Sequence, residues 1–440
     1  MKRTPKIVIS SILSLMMTPA FADSTNLLSL YQQAENYDAD IFAAQSAYQA
    51  EQQGESLAFA GLLPSLNASA SATRTNSNIN QTPGDDSYKT RNYALSLKQP
   101  LLNLPSWHSI SSSEQNTLRA QAVLLSAQQS LILNVASAYF DVLRGQENLR
   151  SDQSQEAAVK RQYEQAKEQF DVGLIAITDV HEAKASYDSS QTSRIRSEGN
   201  LTIAIENLSR ITGQFAPQLH TLKADFPVAV DAKTSAEQWV ESAFSHNLDI
   251  KIANYALKTL EAELKAKKAE HLPTLDLDAS YSQTDFTNYY TQNRESEDSN
   301  VSLTLNIPLY SGGATQAAVK QTRFQIEQAK HQLTSAQRQA RVDTRTEYIN
   351  ITTNVQTVES LKQNIVSRES ALEATREGYK VGTRNIVEVL DAERNYFTAL
   401  KDYANARFDF VESNLRIKRS AGTLSVSDLQ EINDWLEPSK

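Results

Sequence analysis

The 440-residue chain contains no cysteine, which excludes disulfide staples, thiolate metal sites and a lipid-modified N-terminal cysteine. Proline is scarce where it matters: none of the 11 falls between Pro105 and Pro217 or between Pro308 and Pro438. Proline breaks helix interiors, so two long tracts are free to be helical. The six histidines, His108, His181, His220, His246, His271 and His331, form neither an H-x-x-x-H pair nor a cluster, which gives no ligand spacing for a metal. Basic residues are outnumbered, 43 Lys and Arg against 52 Asp and Glu, and nucleic-acid binding needs the opposite balance. After residue 22 no run of 18 apolar residues occurs, so no transmembrane helix is expected. A membrane barrel is not excluded, because its apolar face is hidden in alternation.

The first 22 residues read as an export leader. Lys2, Arg3 and Lys6 form a basic start, "IVISSILSLMM" an apolar core, and Ala20-Phe21-Ala22 an A-x-A cleavage site. The mature chain is expected to begin at Asp23, with 40 basic and 52 acidic residues and hence a net charge of −12.

What is present is a duplication. "FDVGLIAITDVHEAKASY" at 170–187 overlays "YKVGTRNIVEVLDAERNY" at 379–396 with a shift of 209 residues, matching Gly173 to Gly382, Ile177 to Ile386 and Asp179 to Glu388. The same shift aligns Leu63-Pro64-Ser65-Leu66 with Leu272-Pro273-Thr274-Leu275, Asp40-Ile41 with Asp249-Ile250, and Tyr139 with Tyr348. One offset across distant segments marks two tandem repeats.

Both proline-free tracts are rich in good helix formers. In the first, Leu118, Ala122, Leu125, Ile132, Ala136, Tyr139 and Leu143 form one seam, with Gln129 its polar member. Leu124, Ala127, Leu131, Val135, Ala138 and Val142 form a second. Two adjacent seams imply packing neighbours on both sides, and a row of such helices can close into a cylinder. From Ser106 to Phe170 the helix would run about 100 Å at 1.5 Å per residue. The segments at 26–60 and 179–211 are each about half as long and would match it if stacked end to end. Gly173 and Gly382 then serve as left-handed helix-turn tips.

Four segments alternate with period two: "LPSLNASASATR", "YALSLKQPLL", "LPTLDLDASYSQ" and "VSLTLNIPLY". Each is about ten residues or slightly more, the length of a tilted membrane strand. Tyr88, Trp107, Phe286, Tyr289, Tyr290 and Tyr310 lie near their ends, where an aromatic girdle would sit. Four strands cannot close, and a lipid-embedded sheet has no open edge, so copies of the chain must share a barrel. Three copies would supply twelve strands, although the sequence alone does not fix that number.

The duplicated Val-Gly tips, "LPTLDLDASYS", "IPLYSGG" and "SAGTL" resemble the TolC family of outer-membrane efflux channels, the outer membrane factors, over nearly all of the mature chain. The resemblance implies a mainly α fold with a β-barrel part. Long coiled-coil helices and four transmembrane strands per protomer would close as a homotrimer into a twelve-stranded barrel on a periplasmic cylinder. It implies an exit duct for drugs, detergents or polypeptides in tripartite efflux and type I secretion, set in outer-membrane lipid. Its partners would be a periplasmic adaptor (membrane fusion protein) and an inner-membrane transporter, with no cofactor and no nucleic acid.

The organisation expected is a leader at 1–22, a periplasmic helix at 23–61, a barrel hairpin at 62–104 and a helical hairpin at 105–211 with its tip at 171–178. An equatorial linker at 212–235 follows, then a second helix at 236–271, hairpin at 272–311 and helical hairpin at 312–420 with its tip at 380–385. An equatorial segment at 421–440 ends the chain.

By match to the family, Glu388 and Asp391 form acidic rings at a periplasmic gate. Tyr379 and Arg384 tie the second tip to Thr178 and Asp179 of the first. Glu388 stands where the family pattern has Asp, which changes its reach but not its charge. From spacing alone these acids have plainer explanations. Asn385 can cap a helix with Glu388 at the third position, and Asp391 can pair with Arg394.

Two other classes compete. A soluble periplasmic coiled-coil scaffold or adaptor explains the helices but leaves the alternating segments unused. An enzyme has no nucleophile motif or carboxylate pair to support it. Ser311-Gly312-Gly313 resembles a phosphate loop but lacks its Lys.

Overall fold

The computed structural model describes residues 26–77, 86–215, 218–229, 235–289 and 292–438. The expected leader and the start at Asp23, the loop at 78–85, residues 230–234 of the linker and Tyr290 lie outside the described residues. Repeat one contains α1 (Leu27–Glu35), α2 (Ala39–Ala60), β1 (Ser65–Ser77), β2 (Asp86–Leu102), α3 (Leu104–Asp171) and α4 (Ile177–Thr212). After β3 (Thr221–Leu222), repeat two contains α5 (Ala236–His246), α6 (Leu248–Ala269), β4 (Thr274–Tyr289), β5 (Gln292–Asn306), α7 (Ala314–Lys380) and α8 (Ile386–Ser420). α9 (Val426–Asn433) and β6 (Leu436–Glu437) end the chain. Adding 209 to α2's bounds, 39 and 60, gives α6's, 248 and 269; adding it to the end of α3 and the start of α4, 171 and 177, gives 380 and 386. The duplication is structural.

α3 has 68 residues and α7 has 67, each close to 100 Å at 1.5 Å per residue. Asn103 caps α3 by accepting from the Ser106 amide at 3.1 Å, with Pro105 in the first turn where no amide partner is needed. α3 packs on α2 and α4 along one side and on α6 and α8 along the other, as its two seams require. α7 packs on α6 and α8. Gln129, the polar seam member, donates to the Leu424 carbonyl at 3.0 Å.

The expectation of no helix apolar enough to cross a bilayer is corrected in one place. An 18-residue window of α3 reaches a mean hydropathy of 1.2, with 44% of it buried. α3's Leu131, Ile132, Val135, Ala136 and Tyr139 are buried in the protein core, which is where its apolar character is used.

That core lies at the waist. α1, the middle of α3, the end of α4, the far half of α8 and α9 converge there, with Leu27, Leu30, Tyr139, Phe140, Leu415 and Leu429 fully or nearly fully buried. β3 pairs with β6, joining the linker to the C-terminal segment, and Trp435 packs edge-on against Phe226. Gly422 turns the chain from α8 to α9 with φ +74, and a Cβ there would collide with the His246 carbonyl.

The four long strands form one antiparallel sheet in the order β1-β2-β4-β5, leaving β1 and β5 as edges. At 13, 17, 16 and 15 residues they exceed the expected ten or so, extending as hairpin arms beyond the apolar band. The register places Leu66, Leu97, Ala279 and Val301 in one cross-strand row and Ala68, Leu95, Tyr281 and Ser299 in the next. On the other face run Asn67, Ser96, Ser280 and Asn300. One face is apolar and the other polar, as in a membrane barrel. Tyr88 and Phe286 register with Thr75 and Thr90, on the polar face, so they do not join a lipid-facing girdle; Tyr93 and Tyr281 hold the apolar-face positions instead. Trp107 and Tyr310 are exposed at the helix end of the sheet.

Candidate functional site

The two Val-Gly tips close the ends of α3 and α7 remote from the sheet. Gly173 and Gly382 take φ 80 and 79, the left-handed conformation that ends a helix at little cost only for glycine. The Leu174 amide bonds the Gln169 carbonyl at 2.8 Å and the Thr383 amide bonds the Gly378 carbonyl at 2.8 Å. These span the same distance in both repeats. Val172, Leu174 and Val381 are left about three-quarters exposed at 70%, 73% and 74%.

Behind the tips, Val159, Ala166, Ala183, Ile386 and Leu390 form a small core, with Tyr163, Tyr187 and Tyr379 packed against it. Tyr379 donates from its hydroxyl to Gln169 Oε1 at 3.0 Å, which ties α7 to α3. Burial, and secondarily the negative charge of Asp179, push the Tyr379 phenol above its usual value. The hydroxyl's bond goes to Gln169 and not to Asp179.

Arg384 does not reach Thr178 or Asp179 within one chain. Its guanidinium donates to Glu388 Oε2 at 3.0 Å, four residues along the same helix. It lies over Gly378, where a Cβ would come within 2.7 Å of its Cγ. Asn385 caps α8 by accepting from the Glu388 amide at 2.9 Å and donates from Nδ2 to Glu388 Oε1 at 3.3 Å. Asp391 pairs with Arg394 at 2.8 Å. Both acids thus have the local partners the spacing suggested; Asp391 is exposed and Glu388 half-buried.

Two buried charges lie higher up. Glu393 on α8 is fully buried, forms an ion pair with Arg376 of α7, and leaves Oε2 without a hydrogen-bond partner. Burial pushes its carboxyl up, against the opposing effect of Arg376 and then Arg161. Asp152 on α3, also buried, accepts from Lys401 Nζ of α8 at 2.7 Å and Ser197 Oγ of α4 at 2.5 Å, joining three helices. Sequence reading overlooked these residues and Gln169. The signal existed: Glu393 falls four residues after Val389 and seven after Ile386, on the buried stripe of α8.

Among the described residues no group of His, Asp and Glu could hold a metal. Gly312 and Gly313, both with positive φ, hand β5 over to α7.

A sequence profile described as outer membrane efflux protein matches residues 30–214 and 239–423, the two repeats at their shift of 209. The chain is 33% identical over 443 residues to outer membrane protein TolC of Vibrio cholerae, covering 100% of both chains. It is 33% identical to the protein of that name in Escherichia coli, covering 99% of this chain and 90% of the other. Proteases secretion protein PrtF of Dickeya chrysanthemi is 26% identical, with 99% and 96% covered. Among solved structures, CusC superposes with a TM-score of 0.79 at 18% identity, covering 96% of this chain and 98% of that one. The CmeC outer membrane channel of Campylobacter jejuni gives 0.78 at 18%, with 94% and 91% covered.

Proposed function

The chain belongs to the outer membrane efflux protein family, and on that premise we propose that three copies close into one continuous duct, gated at the Val-Gly tips. It is an outer-membrane protein and serves as an exit duct for efflux and type I secretion. Its relatives are channel proteins, and catalysis has no role in this reading. Substrate passes through a water-filled bore, and the energy comes from partners.

The observation that carries the trimeric barrel is a matched pair of open edges. The sheet ends at β1 on one side and β5 on the other, and no membrane-embedded sheet edge can stay unpaired. The helical layer ends in the same way. α2 and α4 leave Phe42, Leu57, Phe59, Ile195 and Ile203 exposed, and α7 leaves Phe324, Val342, Ile349 and Val366 exposed. A β5-to-β1 contact between copies is heterologous, so it must close as a ring. Three copies give twelve strands, within the range of known membrane barrels. A soluble scaffold would leave the apolar face of the sheet in water.

At the gate, Glu388 and Asp391 would crowd six carboxylates around the three-fold axis and favour cations there. Arg384, free of Thr178 and Asp179 in its own chain, is available to the first tip of the adjacent copy. The exposed Val172, Leu174 and Val381 suit contact with a periplasmic adaptor, and through it an inner-membrane transporter. Amine cross-linking of the protein in isolated outer membranes tests the closure. A ladder ending at three supports it, and recovery as a soluble periplasmic monomer overturns it.

A further inference from the structure

We propose that the outward face of the first hairpin binds the phosphate of outer-leaflet lipid headgroups through Arg74, Lys89 and Arg91. This rests on the barrel reading above. Parity along the strands carries the argument. Leu66, Ala68, Ala70 and Ala72 of β1 register with Leu97, Leu95, Tyr93 and Arg91 of β2, and the next row is Arg74 against Lys89. Opposed residues in an antiparallel pair share a face. Arg74, Lys89 and Arg91 therefore continue the lipid-facing side directly above its apolar band, at the end of the sheet away from the helices.

Their placement is unfavourable without an outside anion. Arg74 and Lys89 face each other across the ladder, and directly opposed like charges destabilise a strand pair. Arg91 is two residues from Lys89 on the same face. All three are exposed, and among the described residues none has an ion pair or side-chain hydrogen bond. Lys89 faces Thr287 on its other side, and Arg91 faces Asp285. Among the described residues no hydrogen bond or ion pair joins Asp285 to Arg91, and the buried Asp285 Oδ1 has no hydrogen-bond partner. The remaining acids of this face among the described residues, Glu295 and Glu297, belong to β5 at the far edge. A neighbouring copy's β5 would meet β1 and so reach Arg74, but Lys89 and Arg91 sit one strand further in.

Position selects the ligand. These cations sit where the acyl region gives way to headgroups, and cations near a lipid surface attract anionic headgroups. Arg offers the forked donors that match a phosphate, with Lys as a point charge beside them. Cargo in the bore meets the opposite face, which carries Asn92, Thr73 and Thr75, so a transported anion is not the occupant.

The test uses the full-length protein in neutral detergent, incubated with lipid A carrying its phosphates or with the same lipid dephosphorylated. Lipid retained after gel filtration is measured by mass spectrometry. The wild type should retain the phosphorylated lipid at least about tenfold better, and an R74Q/K89Q/R91Q variant should lose that preference. Raising salt should weaken retention by the wild type itself, a readout independent of the variant's folding. A D285N/E295Q/E297Q variant should keep the preference. Equal retention of both lipids by the wild type, or an undiminished preference in the basic-to-Gln variant, overturns the proposal. Flotation of the protein with phosphatidylcholine vesicles reports insertion alone. Insertion without phosphate preference sinks this inference and spares the barrel, whereas failure to insert sinks the barrel.

Discussion

Replacing Arg376 with Ala tests whether the second helical hairpin is held as one body by a buried charge. Glu393 is fully buried, and Arg376 is its ion-pair partner. Removing one member of a buried pair leaves an uncompensated charge and typically costs 3–5 kcal/mol, but water reaches Arg376, whose side chain is 40% exposed. That solvent access lowers the expected cost to about 2–3 kcal/mol. At 1.36 kcal/mol per factor of ten, opening of the tip-side half of α8 should become about 30- to 150-fold more frequent. Amide hydrogen exchange over residues 386–396 reads this directly, because local opening is what it reports. Glu393→Gln, which removes the charge and leaves a partly solvated arginine, should cost much less.

The pH dependence has a definite sign. Burial already raises the Glu393 carboxyl, and loss of Arg376 removes the main positive charge that lowers it. A group raised in the folded state contributes stability below its unfolded value and loses it as pH rises through the folded one. The Arg376→Ala deficit should therefore shrink as pH falls from about 7.5 towards 5, after correction for intrinsic exchange. Protection equal to wild type in Arg376→Ala, or a larger loss in Glu393→Gln, would refute the reasoning.

Neutralising both proposed gate acids, Glu388→Gln with Asp391→Asn, should weaken cation preference and polycation block in planar bilayers, and unchanged selectivity would place the rings elsewhere. Tyr379→Phe deletes the bond to Gln169, worth about 1 kcal/mol; combined with Arg384→Ser it should raise resting conductance, and an equally closed channel would remove both from the gate. Gly422→Ala combines a positive φ with a collision against the His246 carbonyl. It should sharply reduce folded protein in the outer membrane, measured by heat-modified gel migration, and normal assembly would show that the waist can yield there.

Much of this architecture was legible because local and global signals agree. The shift of 209 was visible in Gly173 and Gly382 because a left-handed helix end tolerates little else. The sheet faces were visible because period-two alternation survives in Leu275, Leu277, Ala279 and Tyr281. The girdle was misjudged at Tyr88 and Phe286, since proximity to a strand end says nothing of parity, and one step moves a side chain to the opposite face. Strand length was underestimated because the arms beyond the apolar band are mostly polar, and their aromatics Tyr88 and Phe286 lie on the opposite face from the apolar row, so the alternation is lost. The tie from Tyr379 to Gln169 and the bridge from Asp152 to Lys401 join residues 210 and 249 positions apart. Such pairs are invisible to any periodicity.

The spacing of these ties along α3 bears on how the tip can move. Tyr379 to Gln169 lies at the tip, Asp152 to Lys401 and Ser197 lies 17 residues back, and Arg144 to Asp409 and Glu412 lies at the waist. Those 17 residues are about 25 Å of helix. The pair of Arg376 and Glu393 joins α7 to α8 only, so it survives any motion of that hairpin as a unit. Outward movement of the hairpin must break the Tyr379 bond and peel Ile386 and Leu390 from Val159 and Ala166. The buried Asp152 carboxylate resists separation from Lys401, because parting them leaves a charge in the core. The bend should therefore fall between Asp152 and the tip. The absence of native cysteine makes the test clean. A cross-link between Gln169→Cys and Tyr379→Cys should abolish export, whereas one between Ser151→Cys and Phe397→Cys, whose parent residues are already hydrogen-bonded at 3.2 Å, should leave it intact. Export blocked equally by both would mean that the hairpin swings from the waist.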